Sequence, residues 1–455
     1  MVAARSISRP AIRLHVHITQ AVLRQRLEDT VDDVTEANKQ TQSQSMAPFL
    51  IVWMGQAISL IGSTLVQFTL VWWLTETTES ATVLALASMI AILPRILVGP
   101  LAGTLVDRWN RRVIMIVADS LIALAVVVLA VLYALDAVQV WHVYVLMFLR
   151  AVGAAFHWPA MQASTTLMAP KKHLARIAGM DKAIRGLANI VVPPLAAVLL
   201  EILPMQPILA IDVVTAILAI IPLFFIPIPQ PRQKATAETA AGKPSVRDDL
   251  REGLRFVWGW PALTLIFAIS AISNLLANPA LALGPLLVRK HFGGSALELG
   301  WMQTVFGVGF VAGAIALGVW GGLKRRIVTA YLAQVLWSIG IAGMGLIPTH
   351  TFSWVLIAAS LVGFIHPIRN GSLLAVLQTI VPPDKQGRVL ALYQSITGLT
   401  APLGLAIAGP VGDAIGVAPW FVLAGIVGVV TGVGALFIPA IVQIEDKSGE
   451  THSEN

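Results

Sequence analysis

The chain is expected to form an all-α membrane protein, with twelve transmembrane helices arranged as two pseudo-symmetric six-helix bundles. Three observations lead there. Only 12% of the 455 residues are charged, about half the roughly 25% of soluble domains. Hydrophobic residues make up 56% before the 36 glycines are counted, and mean hydropathy is +0.79. The apolar stretches also run well past the roughly 18 residues that mark a bilayer span. Twelve spans of about 25 residues would use roughly 300 residues, which leaves tails, short turns and one middle loop but no large domain outside the membrane. The absence of cysteine excludes disulfides, thiolate metal sites and thiol catalysis.

In chain order, the first span (49–74) opens in "MAPFLIVWMGQ" and carries Gln56 and Gln67. The second (82–106) contains Arg95 and runs into a glycine-rich, basic turn; the third (113–135) carries Asp119. The fourth (140–163) holds Arg150 and His157. The fifth (177–200) has Asp181 near one end and Pro193-Pro194, which should bend it. The sixth (206–227) has Asp212 near its outer end. The second set falls at 262–288, with Asn274 and Asn278, then 298–322, 327–348, 353–380 with His366 and Arg369, 389–412 and 418–442. This divides the chain into an N-terminal extension (1–47), an N-terminal bundle (48–228), a linker (229–260), a C-terminal bundle (261–443) and a tail (444–455). The linker begins Pro-, Ala- and Thr-rich and ends with Val246, Leu250, Leu254 and Val257 at helical spacing among charged residues. Such a segment should lie along the membrane surface.

Short loops rich in Lys and Arg stay on the cytoplasmic side. Of 31 such residues, 24 fall in the tails, the linker and one set of loops, whereas the opposite set has only Arg289 and Lys290. Both termini should therefore be cytoplasmic, and the +7 charge is an insertion signal rather than a nucleic-acid footprint. Trp72, Trp73, Trp141, Trp301, Trp354 and Trp420 sit at the outer span ends, as an interfacial aromatic belt requires. The halves echo each other: at an offset of 212, Pro170, Arg176, Ile184 and Gly186 meet Pro382, Arg388, Ile396 and Gly398. At 214, Gly99 meets Gly313 and Arg111-Arg112 meet Arg325-Arg326. A duplicated six-helix unit with a site between its halves is a common transporter design. Residues 1–27 carry five arginines and no acid, but 28–36 are acidic, which speaks against a transit peptide. Met46 would make a natural alternative start, and residues 1–45 are expected to be dispensable.

The stretch "GPLAGTLVDRWNRRVIM" at 99–115 resembles the major facilitator superfamily, whose signature between its second and third spans is G-x-x-x-D-R/K-x-G-R/K-R/K. Gly103, Asp107, Arg108, Arg111 and Arg112 fit in register, and Asn110 replaces the last glycine, being tolerant of the left-handed conformation. Gly99 and Gly103 would form a face for close helix packing. Asp107 would offer its carboxylate to the nearby arginines or to a neighbouring helix N-terminus. The resemblance implies a latch that holds the cytoplasmic side shut and breaks during alternation; the alternative is that the arginines only set topology. In the second half Gly321 replaces Asp107, so the latch would be asymmetric.

Arg150 lies about nine residues into its span, hence about 14 Å deep, where an arginine costs at least roughly 2.5 kcal/mol and is usually kept for pairing or function. The surrounding "FLRAVGAAFHWPAMQAS" is similar to the macrolide-efflux branch of the superfamily. So are "LREGLRFVW", "GWMQTVFGVGFVAG" and "VPPDKQGRV", which extend the resemblance over most of 49–442. It implies a coupling role for Arg150, the alternative being a structural arginine held by carbonyls. The antiporter motif of span 5, G-P-x-L-G-G, survives only as "VPPLAA" at 192–197, a departure that weakens the case for proton antiport. The superfamily's cavity is lined mainly by spans 1, 4, 7 and 10, which makes Gln56, Gln67, His157, Asn274, Asn278, His366 and Arg369 cavity candidates beside Arg150. Arg95 and Asp119 both lie in the inner half of the bilayer, as an ion pair or separately solvated, and are expected to join Arg150 in coupling. With no carboxylate at mid-depth on a cavity helix, neutral or anionic substrates are favoured over permanently cationic ones.

Neither an H-E-x-x-H metal motif, a G-x-S-x-G elbow nor a phosphate loop occurs, so no enzyme, metal or cofactor is expected. The expected function is secondary active export of bulky amphipathic molecules of drug or macrolide type, coupled to protons, by alternating access. The expected partners are a small amphipathic substrate, protons and the lipid bilayer, with no nucleic acid; a monomer in the plasma (inner) membrane is expected. The alternatives are a siderophore or lysophospholipid transporter of the same superfamily, or a receptor on this scaffold that does not transport.

Overall fold

A computed structural model describes residues 46–230 and 246–446. Twelve of its helices are long and apolar enough to cross a membrane. In the first half these are α1 (Ala47–Thr78), α2 (Ala81–Arg108), α3 (Arg111–Ala134), α4 (Val140–Met168), α5 (Leu174–Ile202) and α6 (Met205–Phe225). In the second they are α7 (Pro261–Ala282), α8 (Ala296–Trp320), α9 (Arg326–Leu346), α10 (Phe352–Ile380), α11 (Pro383–Ile415) and α12 (Val417–Phe437). Expectations for the extension 1–45 and for 447–455 lie outside the described residues, as does the Pro-rich stretch 231–245.

The helix ends follow local chemistry. Ser80 caps α2 by accepting from Val83 N, and Ser295 with Glu298 forms a capping box on α8. Asn110 caps α3, its side chain accepting from Arg112 N and Val113 N, with φ −68° and ψ 111°. The expectation that it uses the left-handed region is therefore corrected: the residue is kept for its capping oxygen. The seventh span, expected to 288, leaves regular helix at Ala282; a short turn, Gly284–Leu286, and a wide turn, Leu287–His291, follow. Pro285 lacks the N–H that would continue the ladder.

The two halves repeat one packing scheme. In the first, α3 packs on α4 and α6, α2 on α4, and α1 on α5 and α6; in the second, α9 packs on α10 and α12, α8 on α10, and α7 on α11 and α12. Between halves the main pairs are α2 with α11 and α5 with α8, exchanged by the same pseudo-symmetry. A further helix, Val246–Trp258, docks on the start of α11 through Glu252 and Arg388 (2.9 Å). Leu254 and Val257 reach the apolar cluster of the second half; the side chains of 246–250 lie outside the described residues.

The halves meet at one face only. The chain begins and ends, as described, on what we term the terminal face, and an even number of spans leaves the far face opposite it. Toward the far face a methyl at Gly300 of α8 would lie 3.0 Å from Pro194 Cα, and one at Gly409 of α11 would lie 2.9 Å from Thr82 Cα. In the terminal portions of the same four helices Gly99, Gly103, Gly179, Gly186, Gly318, Gly387 and Gly398 have nothing within 4 Å. One apolar cluster bridges the halves at the far side, from Phe68, Trp72 and Leu84 to Leu283, Leu299 and Trp420. Trp72 and Trp420, expected in an aromatic belt, are thus core residues, and Trp420 donates to Leu276 O at 3.1 Å. Trp141, Trp301 and Trp354 are exposed. Polar contacts seal the same face. Asp413 at the end of α11 accepts from Ala81 N (2.6 Å), Thr82 N (3.0 Å) and Ser80 Oγ (2.9 Å) at the start of α2, and Arg289 lies 3.5 Å from Glu79.

Candidate functional site

The separation at the terminal face leaves a cavity of about 940 Å³ in the first half. Its walls come from α1, α2, α3, α4 and α5. Small residues on α1 and α4 make the room: Ala57, Ser59, Ala151, Ala154 and Ala155 line it, with Trp53 and Trp158 as aromatic walls.

Arg150 is held by two residues that are themselves bonded to each other. Its Nη1 lies 2.8 Å from Asp212 Oδ2, its Nη2 donates to Ser63 O at 2.7 Å, and Ser63 Oγ donates to Asp212 Oδ1 at 3.1 Å. Asp212, with a side chain only 3% exposed, is the eighth residue of α6, and Arg150 is the eleventh of α4, both counted from the far face. At 1.5 Å per residue that is about 12 and 16 Å, within one turn. The reading of an arginine without an acid at its depth is corrected: the acid comes from a helix outside the expected cavity set. Gly62 allows it, since a methyl there would stand 2.2 Å from Thr215 Oγ1 and 3.2 Å from Asp212 Cα.

A second cluster surrounds Asp119. Gln56 Nε2 donates to its Oδ2 at 3.1 Å, and His157 Nε2 stands 3.4 Å from its Oδ1, close but without hydrogen-bond alignment. Asp119 is thus not paired with Arg95. Arg95 is exposed to the cavity and has no ion-pair partner among the described residues. Near the terminal mouth, Asp181 accepts from Trp53 Nε1 at 2.5 Å and the Arg185 guanidinium lies 4.0 Å over the Trp158 ring. Arg185, Trp53 and Trp158 are site residues that single spans do not single out, and Asp181 stands out only as a carboxylate near a span end; their shared signal, a charged residue paired with a tryptophan on another helix, exists only once the helices are packed.

Gln56, Gln67, Arg95, Asp119, Arg150 and His157 all line the cavity. Asn274, Asn278, His366 and Arg369 do not, and are engaged within the second half instead. Asn274 donates to Ser270 O at 2.8 Å, and Asn278 donates to Asn274 Oδ1 at 3.2 Å. His366 stands among Phe306, Phe310 and Trp337. Arg369 is buried, donating to Gln334 Oε1 (2.9 Å) and Asn370 Oδ1 (3.1 Å) with its guanidinium 4.2 Å over Trp337. Lining by four equivalent helices of both halves is corrected to lining by five helices of one.

The signature loop makes its contacts within the first half, to its own turn and to the end of α6. Asp107, 76% exposed, stands 3.7 Å from buried Arg111 one turn on. Arg112 donates to the last carbonyls of α6, Leu223 O and Phe224 O, and Arg108 is exposed. Gly99 and Gly103, expected at a close helix contact, face open space.

Comparison with known proteins identifies the family and the fold. The family described as transmembrane secretion effector matches residues 43–454. Macrolide efflux protein A of Streptococcus pyogenes is 33% identical over 83% of this chain and 92% of its own length. The multidrug efflux pump Tap of Mycolicibacterium fortuitum is 28% identical over 84% of this chain and 93% of its own. Among solved structures, a mutant of the nucleoside transporter NupG superposes with a TM-score of 0.63 at 14% identity, over 85% of this chain and all of that one.

Proposed function

Because the chain belongs to the transmembrane secretion effector family of the major facilitator superfamily, it is a multi-pass secondary transporter and not an enzyme, and we propose that it exports bulky amphipathic molecules in exchange for protons. The observation that carries this reading is the cavity of about 940 Å³, open toward one face while the other is sealed between the halves. That volume suits a drug-sized ligand, and its mixed wall of small, aromatic and charged side chains suits an amphipathic one. The relatives named for macrolide and multidrug efflux support the same cargo class.

The positive loops support a cytoplasmic terminal face with both termini there, and on that reading the structure corresponds to the inward-open state in the plasma membrane. Export proceeds when a molecule entering from the cytoplasm, or from the inner leaflet, is trapped as the terminal face closes and the far face parts. Asp107 and the arginines beside it then form the cytoplasmic latch, with Gly99 and Gly103 at the closing helix contact. Each chain carries its own cavity and both gates, so a monomer suffices.

The test is transport into everted vesicles under an imposed proton gradient, with a panel of macrolides, siderophores and lysophospholipids. Gradient-dependent accumulation of macrolide-type compounds, abolished by a protonophore, is expected. Preference for either other class would reassign the cargo, and accumulation indifferent to the gradient would remove proton exchange.

A further inference from the structure

The repeated fold brings the same two helix positions together twice. Asp119 is the ninth residue of α3, and Gln334 is the ninth residue of its counterpart α9; His157 is the eighteenth residue of α4, and Arg369 is the eighteenth of α10. In the first half Asp119 and His157 stand 3.4 Å apart, and in the second Gln334 and Arg369 stand 2.9 Å apart. The first helix of each half adds a third member. Gln56 donates to Asp119 at 3.1 Å, and Ser273 stands 3.2 Å from Gln334 Nε2. The geometry is one triad built twice, but the chemistry differs. A carboxylate and an imidazole exchange protons, whereas an amide does not and a guanidinium keeps its proton.

Access differs in the same sense. Asp119 and His157 line the cavity, while Gln334 and Arg369 are buried away from it. The His157 Nε2 atom is buried yet lacks an aligned hydrogen-bond partner, so one ring nitrogen facing a carboxylate is left unused. Arg150 and Asp212 are the contrary case: both Asp212 oxygens are engaged and the carboxylate is shut from water.

We propose that the Asp119–His157 pair is the proton-exchange site of this transporter, and that Gln334–Arg369 is its non-exchanging image, a fixed strut in the second half. The proposal rests on the reading of a proton-coupled exporter. With Asp119 ionised and His157 neutral the pair carries one negative charge. One proton taken from the far side makes it a neutral-overall ion pair, the form that is cheapest to enclose when the cavity closes. Release to the cytoplasm restores the negative charge, and no bond other than those to the proton is made or broken. The other charges around the pair are Arg150 on α4, Asp212 on α6, Arg95 on α2, and Asp181 and Arg185 on α5; α1 contributes only Gln56 at this level.

Two measurements test it. Purified protein in lipid nanodiscs, moved from mildly alkaline to mildly acid solution, should show an infrared imidazole-to-imidazolium ring change that disappears in His157→Gln, with a shift of the ionised carboxylate stretch that disappears in Asp119→Asn and returns in Asp119→Glu. Unaltered bands in Asp119→Asn and His157→Gln overturn the proposal without reference to any cargo. In proteoliposomes with a radiolabelled macrolide as probe, Asp119→Asn should lower gradient-driven transport by about tenfold or more, while gradient-free exchange of labelled for unlabelled macrolide stays within about twofold, since exchange needs no net proton movement. Driven transport at the wild-type rate in Asp119→Asn overturns the proposal, as does equal loss of both modes. A wild-type protein indifferent to the gradient refutes the exporter reading instead, and the infrared band then decides the proton site alone.

Discussion

Arg150 shows how a single residue can be legible in type and illegible in partner. An arginine midway through a bilayer is costly enough to demand a reason, and its depth follows from counting residues. Its partner, Asp212, lies 62 residues further on on a helix whose register relative to α4 no count provides. In the structure Arg150 bridges α1, α4 and α6, bonded to a carbonyl and a buried acid. Removing one partner of such a pair leaves an uncompensated buried charge, at a cost of about 3–5 kcal/mol. Asp212→Asn should therefore markedly lower the unfolding temperature of the protein in detergent, and Arg150→Gln combined with Asp212→Asn should recover most of it. If Asp212→Asn melts like the wild type, the pair is not the tie described. Asn110 gives the converse lesson: the residue type was read correctly as a substitute for glycine, but the physical reason is a capping side chain rather than backbone freedom.

At the scale of elements, the decisive contact is between α2 and α11. The end of α11 supplies Asp413, whose two oxygens take the first free N–H groups of α2 across the boundary between the halves. A carboxylate at a helix N-terminus is favoured by the unsatisfied amides and the helix dipole together. The site is open to water, which limits its worth to about 1 kcal/mol, or roughly fivefold in population. Asp413→Ala should accordingly shift the protein by about that factor toward a parted far face. The chain has no cysteine, so spin labels on Asp136→Cys and His350→Cys, in far-face loops of opposite halves, report the distance without background. An unchanged distance distribution would show that the apolar cluster alone holds that face. The loop between α2 and α3, by contrast, has its acid exposed and its glycines facing nothing, as an unlatched end should.

For the whole molecule, closure of one face and separation of the other make the same helices tightly packed at one end and open at the other. A large side chain at an open glycine costs the present conformation little but obstructs the alternative one. Gly103→Leu should keep the wild-type unfolding temperature and insertion while reducing transport by about an order of magnitude or more, because the terminal face can no longer close. Normal transport by that variant would place the closing contact elsewhere. Span number, the duplicated half and the family signature were legible from the amino-acid order because hydropathy, loop charge and short motifs are local properties. So were Gln56, Asp119, Arg150 and His157 as polar groups that need a reason inside a membrane. The partners Asp212 for Arg150 and His157 for Asp119, the retreat of Arg369 and His366 into their own bundle, and the face at which the halves meet were decided only by the tertiary structure. Each depends on how helices far apart in the chain are rotated and set against one another, and that is fixed by packing shape and the pairing of buried charge over the whole fold, which no local run of residues contains.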